Sequence, residues 1–121
     1  MAETTTEPVA PSIVAATTIT VLRTVKVGTD DSDGESELTE TLEVHKFAVQ
    51  PAIAKAGLSV RKSKQTVRGD WVAGEVTLGV DRPCYMEELP QGAEVAYDLV
   101  KERMQVELPK MLAALDQLAK S

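Results

Sequence analysis

The stretch Trp71 to Asp81 reads WVAGEVTLGVD, and its alternation decides the fold class. Val76, Leu78 and Val80 fall on one parity, with Glu75, Thr77, Gly79 and Asp81 on the other. Side chains of a strand point alternately to opposite faces, so this pattern predicts a strand with one buried and one solvated face. Pro83, just downstream, has no ladder donor to offer and marks the strand's end. Just upstream stands Arg68-Gly69-Asp70, where glycine tolerates the positive φ of a tight turn, so a hairpin tip is expected there. The hairpin's other strand is then Leu58 to Val67.

Further upstream, Ile19, Val21, Val25 and Val27 alternate with Thr18, Thr20, Thr24 and Lys26, which predicts a strand beginning near Ile13. Arg23 interrupts the inward row, either snorkelling at a sheet edge or paired inside. Residues Thr41 to Val49 read as another strand with Leu42 and Val44 inward. Pro51 and Gly57 stand where a short helix would start and end. Downstream, Met86 to Gly92 reads as a turn or short helix, and residues 93–120 as a long helix. Its apolar stripe runs through Val95, Leu99, Val100, Met104, Leu108, Met111, Leu112, Leu115 and Leu118 at spacings of one, three and four. Pro109 is expected to kink or restart that helix. The sum is an α+β fold: an antiparallel sheet of about four strands, with a short helix and a long C-terminal helix packed on one face.

The chain has 121 residues, the length of one domain with one core. Residues 1–12, rich in Thr, Glu and Pro, read as a flexible tail ahead of a single α+β domain at 13–121. The acidic run at 28–40 reads as a mobile loop held in solvent by self-repulsion. With 43% apolar and 26% charged residues the composition is that of a globular protein, and 3% aromatics leave the core to aliphatic side chains. Cys84 is the sole cysteine, so no intrachain disulfide forms, and a reducing, cytoplasmic setting is expected. Residues 1–12 lack the basic and apolar regions of a secretory leader, and no apolar run approaches the ~18 residues of a membrane span.

The inventory for catalysis is thin. His45 is the only histidine, and no phosphate loop, dinucleotide turn or His-Glu zinc helix is present. No cofactor or metal is expected, and the chain is not expected to be an enzyme. The acidic run matches an EF-hand loop at Asp31, Asp33, Gly34 and Glu40, but its first position is Thr29, so a solvated loop is the expected reading. Arg68-Gly69-Asp70 has the form of an integrin-recognition tripeptide, yet turn geometry alone explains it.

Two surfaces remain. The stripe past Pro109, comprising Leu108, Met111, Leu112, Leu115 and Leu118, exceeds what a small sheet is expected to cover, and offers a face for a second copy or a protein partner. The basic segment Arg61, Lys62, Lys64 and Arg68 is split by strand parity, with Lys62, Lys64 and Arg68 on one face and Arg61 on the other; with Trp71 across the hairpin it offers phosphate contacts beside a stacking aromatic, as nucleic-acid binders do. The net charge of −6 opposes the second use. A third use is inhibition, with the acidic surface presented to a basic nucleic-acid site.

The block from Trp71 to Val106, a strand ending in Pro83-Cys84-Tyr85 followed by acids and a long charged helix, resembles small bacteriophage-encoded proteins of unknown function. The resemblance covers about a third of the chain and implies a small viral or mobile-element protein that works by binding. The leading expectation is a non-enzymatic binding or assembly protein that uses its C-terminal helix, forms homo-oligomers or takes a protein partner, and does not enter membranes. Nucleic-acid binding by the hairpin at 61–71 is the alternative.

Overall fold

The structure, a computed structural model, describes residues 12–27 and 34–120. Four strands, β1 (Ile13–Val27), β2 (Gly34–Phe47), β3 (Ala52–Gln65) and β4 (Trp71–Cys84), form one antiparallel sheet in the order β2-β1-β4-β3. A 3-10 turn (Met86–Glu88) leads into a single helix, α1 (Leu89–Ala119), which lies on one face of the sheet over β3 and β4. The chain is therefore α+β, with a four-stranded antiparallel sheet and one long C-terminal helix.

Length explains how a four-stranded sheet accommodates so long a helix. Thirty-one residues at about 1.5 Å each span roughly 46 Å. Fourteen residues of strand at about 3.3 Å each span the same distance. The sheet thus underlies the whole helix. Its buried positions, Gly92, Ala96, Val100, Met104, Glu107, Met111, Leu115 and Ala119, recur every three or four residues and meet Val72, Val76, Leu78 and Val80 of β4. Ile19 and Val21 of β1 complete the core.

Several expectations need correction. The acidic loop is shorter than 28–40, because Gly34–Glu40 belongs to β2, paired with β1 from Gly34 opposite Val25 onward. Residues 1–11 and 28–33, and with them most of the expected tail and the first half of the EF-hand-like pattern, lie outside the described residues. The short helix over Pro51–Gly57 is strand instead. Ala52, Ala54 and Ala56 alternate with Ile53, Lys55 and Gly57, and the ladder to β4 runs down to Ala52 opposite Cys84. Leu42 and Val44 are not inward. A bulge sets Thr18 opposite Thr41 but Thr17 opposite Glu43, leaving Leu42 as the extra residue and shifting the parity beyond it. Both stay exposed on a strand beyond the two over which the helix mainly lies. Val27, expected inward, is also exposed, at the end of β1.

Pro109 does not end the helix. It lacks the N–H that would bond the Gln105 carbonyl, but both residues are on the exposed side of the helix, so that carbonyl is not buried without a partner. The hairpin tip is a five-residue loop, 66–70, instead of a two-residue turn. Gly69 takes φ +96°, Gly69 N–H donates to the Thr66 carbonyl at 3.0 Å, and Val67 N–H donates to the Ala119 carbonyl at 3.2 Å, tying the tip to the helix end.

At the other end of the helix, Gly92 permits close packing. A Cβ there would stand 2.9 Å from Cys84 Sγ and 3.2 Å from Ala54 Cβ. Gly92→Ala should therefore lower stability by about 1–3 kcal/mol through overpacking, although alanine in a helix interior normally gains about 1 kcal/mol over glycine. Thermal unfolding of the variant checks this; a raised Tm would contradict the packing.

Candidate functional site

Three regions of this fold are candidates: the helix stripe, a cleft at the start of the helix, and the sheet with its two edges. The stripe is largely consumed within the chain. Met111 and Leu115 are 1% and 2% exposed and pack on the bare backbone of Gly74, while Leu108 and Leu118 pack against the same core. Of the five residues expected to meet a partner, only Leu112 stands in solvent.

Within the stripe sits a charged residue that the sequence reading overlooked. Glu107 is 1% exposed and occupies the helical step between Met104 and Met111. Arg103 Nε donates to its Oε2 at 2.8 Å, and Arg23 Nη2 stands 3.1 Å from its Oε1. The Arg23 contact is an ion pair without hydrogen-bond alignment, so Arg23 Nε and Glu107 Oε1 have no hydrogen-bond partner. Arg103 also donates to Glu40 of β2. The hydrogen bonds from Arg103 to Glu40 and Glu107 hold its guanidinium above the ordinary value. Arg23 is thus paired inside, which settles the choice the sequence left open. This network clamps helix to sheet, and its charges are spent on one another.

The cleft, of about 300 Å³, is lined by His45, Phe47, Arg82, Cys84, Tyr85 and Gly92 among others. It brings the only histidine and the only thiol to one place, but each is otherwise engaged. His45 Nε2 is hydrogen-bonded to Thr17 Oγ1 at 2.7 Å. Cys84 is buried against Gly92. Phe47 meets Tyr85 edge-on at 5.1 Å between ring centres, and Arg82 lies 3.8 Å from Glu43. Among the described residues no group of three or more His, Cys, Asp or Glu is gathered to hold a metal.

The basic segment is divided by the sheet. Arg61 and Trp71 share the face turned away from the helix, whereas Lys62 and Lys64 are on the helix side. Lys64 is paired with Asp116 of the helix, and its hydrogen bond holds the Asp116 carboxyl below the ordinary value. Arg68 projects from the loop. Trp71 is 54% exposed opposite Gln65. Lys62 and Lys64 are thus split from Arg61 as their parity predicts, Trp71 joins Arg61, and Arg68, expected beside the two lysines, stands in the loop. The face away from the helix also carries Glu35, Glu75 and the Lys55–Asp81 pair among hydroxyls, with Thr20 bonded to Thr39 at 3.2 Å and Ser59 to Thr77 at 3.1 Å.

The edges are different. β2 and β3 are the outer strands, each fourteen residues long, and no described element pairs with their outward backbone groups. β2 carries Glu35, Glu37, Glu40 and Glu43, whereas β3 carries Lys55, Arg61, Lys62 and Lys64. One edge of the sheet is acidic and the opposite edge basic. On β2, Leu38, Leu42 and Val44 are 53%, 42% and 61% exposed, an apolar content unusual for a solvated strand. The signals were present in the sequence as an acidic run and a basic run, but only the strand order puts them on opposite margins.

No known protein family, curated protein or solved structure matches this chain. Among the described residues no helix is long and apolar enough to cross a membrane.

Proposed function

We propose that this chain is a non-enzymatic binding and assembly protein that works by accepting a strand along the edge of its sheet. The observation that carries this reading is β2: a fourteen-residue outer strand, beyond the two strands over which the helix mainly lies, with exposed Leu38, Leu42 and Val44 among its acids. Outward N–H and C=O groups of such a strand are a template for a further strand, the main chain supplying affinity and alternate side chains specificity. The acids select a basic strand and repel an acidic one. The interaction surface thus moves from the helix stripe to the sheet margin, while the class of function stays as expected. The likeness of Trp71 to Val106 to small bacteriophage proteins supports a viral or mobile-element origin for a protein of this kind.

A titration followed by amide chemical shifts tests this. A synthetic peptide of fourteen residues alternating Val and Lys should perturb the amides of Gly34–Phe47, and its Val-Glu counterpart those of Ala52–Gln65. Absence of any shift, or shifts centred on the helix, would sink the reading.

A second reading has one observation in its favour: Trp71 is half exposed on the same face as Arg61. Stacking beside a guanidinium suits a single-stranded nucleic acid. Quenching of Trp71 fluorescence by an oligonucleotide at low salt, reversed by salt, is its signature; unchanged fluorescence removes it.

A further inference from the structure

Resting on strand addition as the mode of binding, we infer that the strand is supplied by a second copy of this chain: the acidic edge β2 of one copy pairs with the basic edge β3 of the next, continuing the sheet from molecule to molecule. The pairing within one copy supplies the argument. Cross-strand partners run straight across the sheet, Glu35 opposite Thr24, Thr24 opposite Glu75, and Glu75 opposite Arg61. A neighbour set edge to edge in the same register continues that row, so its Arg61 lands beside Glu35, on the same face. Directly opposed residues have Cβ atoms about 4.5–5.5 Å apart, and diagonal ones lie about 7–8 Å away, so Glu37 is within reach of the same guanidinium. Three steps along, the row Leu38, Val21, Leu78, Leu58 continues by setting the half-exposed Leu38 beside the neighbour's Leu58.

Direction and hydrogen-bond phase agree with this placement. Each strand is antiparallel to its neighbour, so the outermost two, β2 and β3, run in opposite directions. A copy in the same orientation therefore presents β3 antiparallel to β2. Along a row of an antiparallel sheet, hydrogen-bonded and non-bonded pairs alternate. After four strands the outward groups of β3 are in phase with those of β2 from Gly34 to Thr41, the part of β2 that precedes the bulge at Leu42. Identical edges, by contrast, repel: β2 on β2 opposes acids and β3 on β3 opposes bases. Glu35, Glu37 and Arg61, all on the face away from the helix, have no ion-pair partner among the described residues, so they are free to form these contacts. The interface is head to tail and does not close on two copies. With a twist of about 20–25° per strand, a step of four strands turns each copy by roughly 80–100°, which builds a screw.

Sedimentation velocity on the full chain, with circular dichroism to confirm folding, decides the matter. The wild type should show at low salt at least a doubling of average mass as concentration rises, reversed by added salt. Glu35→Lys with Glu37→Lys, and separately Arg61→Glu, should each remain at monomer mass. An equimolar mixture of the two should assemble again, because each reversed edge finds its complement. A wild type that is monomeric throughout overturns self-pairing, and so does assembly undiminished in both reversed variants. If such a monomer still binds the Val-Lys peptide at β2, strand addition stands without self-pairing; if it binds neither peptide, both readings fall.

Discussion

Glu107→Ala is expected to lower the stability of the fold by about 3 kcal/mol, near the lower end of the range for breaking a buried ion pair. The substitution removes the carboxylate that two guanidiniums face, leaving Arg23 without its partner while Arg103 keeps Glu40. Arg23 and Arg103 side chains are 39% and 24% exposed, so both can recover part of their hydration, which sets the cost toward the lower end. For a domain of this size such a loss corresponds to a fall in Tm of roughly 10–20 °C. Joint replacement is the informative control. Arg23→Met with Glu107→Leu removes a charge pair together and extends the apolar stripe, and should recover most of the loss or exceed the wild type, as buried pairs exchanged for hydrophobes do. A single Glu107→Ala variant melting within a degree or two of the wild type would show that the clamp carries no stability.

Leu115→Asp should unfold the protein. Leu115 is 2% exposed and its side chain approaches Gly74 of β4, so the substitution both empties a core site and places a carboxylate where nothing pairs it. Loss of the side chain alone costs about 2–5 kcal/mol. Burial of an unpaired charge adds to that, and the sum reaches the ~5–15 kcal/mol by which a domain is stable. Leu112→Asp is the matched comparison, one turn back on the same helix but 40% exposed, and should melt within about half a kcal/mol of wild type. Circular dichroism of the two variants separates them. A folded Leu115→Asp protein with altered mass would return the stripe to the role of an intermolecular face.

That comparison also shows how much of the fold was legible. The alternation through Val76, Leu78 and Val80 and the helical spacing through Val100, Met104 and Met111 are properties of single elements, and both are found as read. The hidden quantities were lengths and neighbours. Glutamates at 35, 37 and 40 look like a solvated loop until their Thr-rich partner β1 is known to lie alongside. With β3 beginning at Ala52 and β4 running on to Cys84, the strands under the helix are long enough to cover a stripe that had looked too long for its sheet. Ala54 and Ala56 fall inward and lie beneath the helix, where small side chains allow close approach.

Charge carried information at two levels. Arg23 on an inward row of β1 and Glu107 on the buried side of the helix are matching exceptions to two apolar patterns, and seen together they predict the pair they form. The first exception was noticed because alternation is strict in strands. The second was masked by Leu108, its apolar neighbour, which kept the stripe unbroken to the eye. In the basic segment the alternation that separates Lys62 and Lys64 from Arg61 was legible in the sequence, whereas the register that sets Trp71 opposite Gln65, on the face of Arg61, was not.

The central claim is that the molecule meets its partners along the margins of its sheet. Amide hydrogen exchange of the wild type in dilute and in concentrated solution measures this strand by strand. Protection should rise with concentration in Gly34–Phe47 and Ala52–Gln65 together, with the exposed side of the helix around Leu112 unchanged. Protection that rises along the helix, or in neither edge strand, would contradict the account.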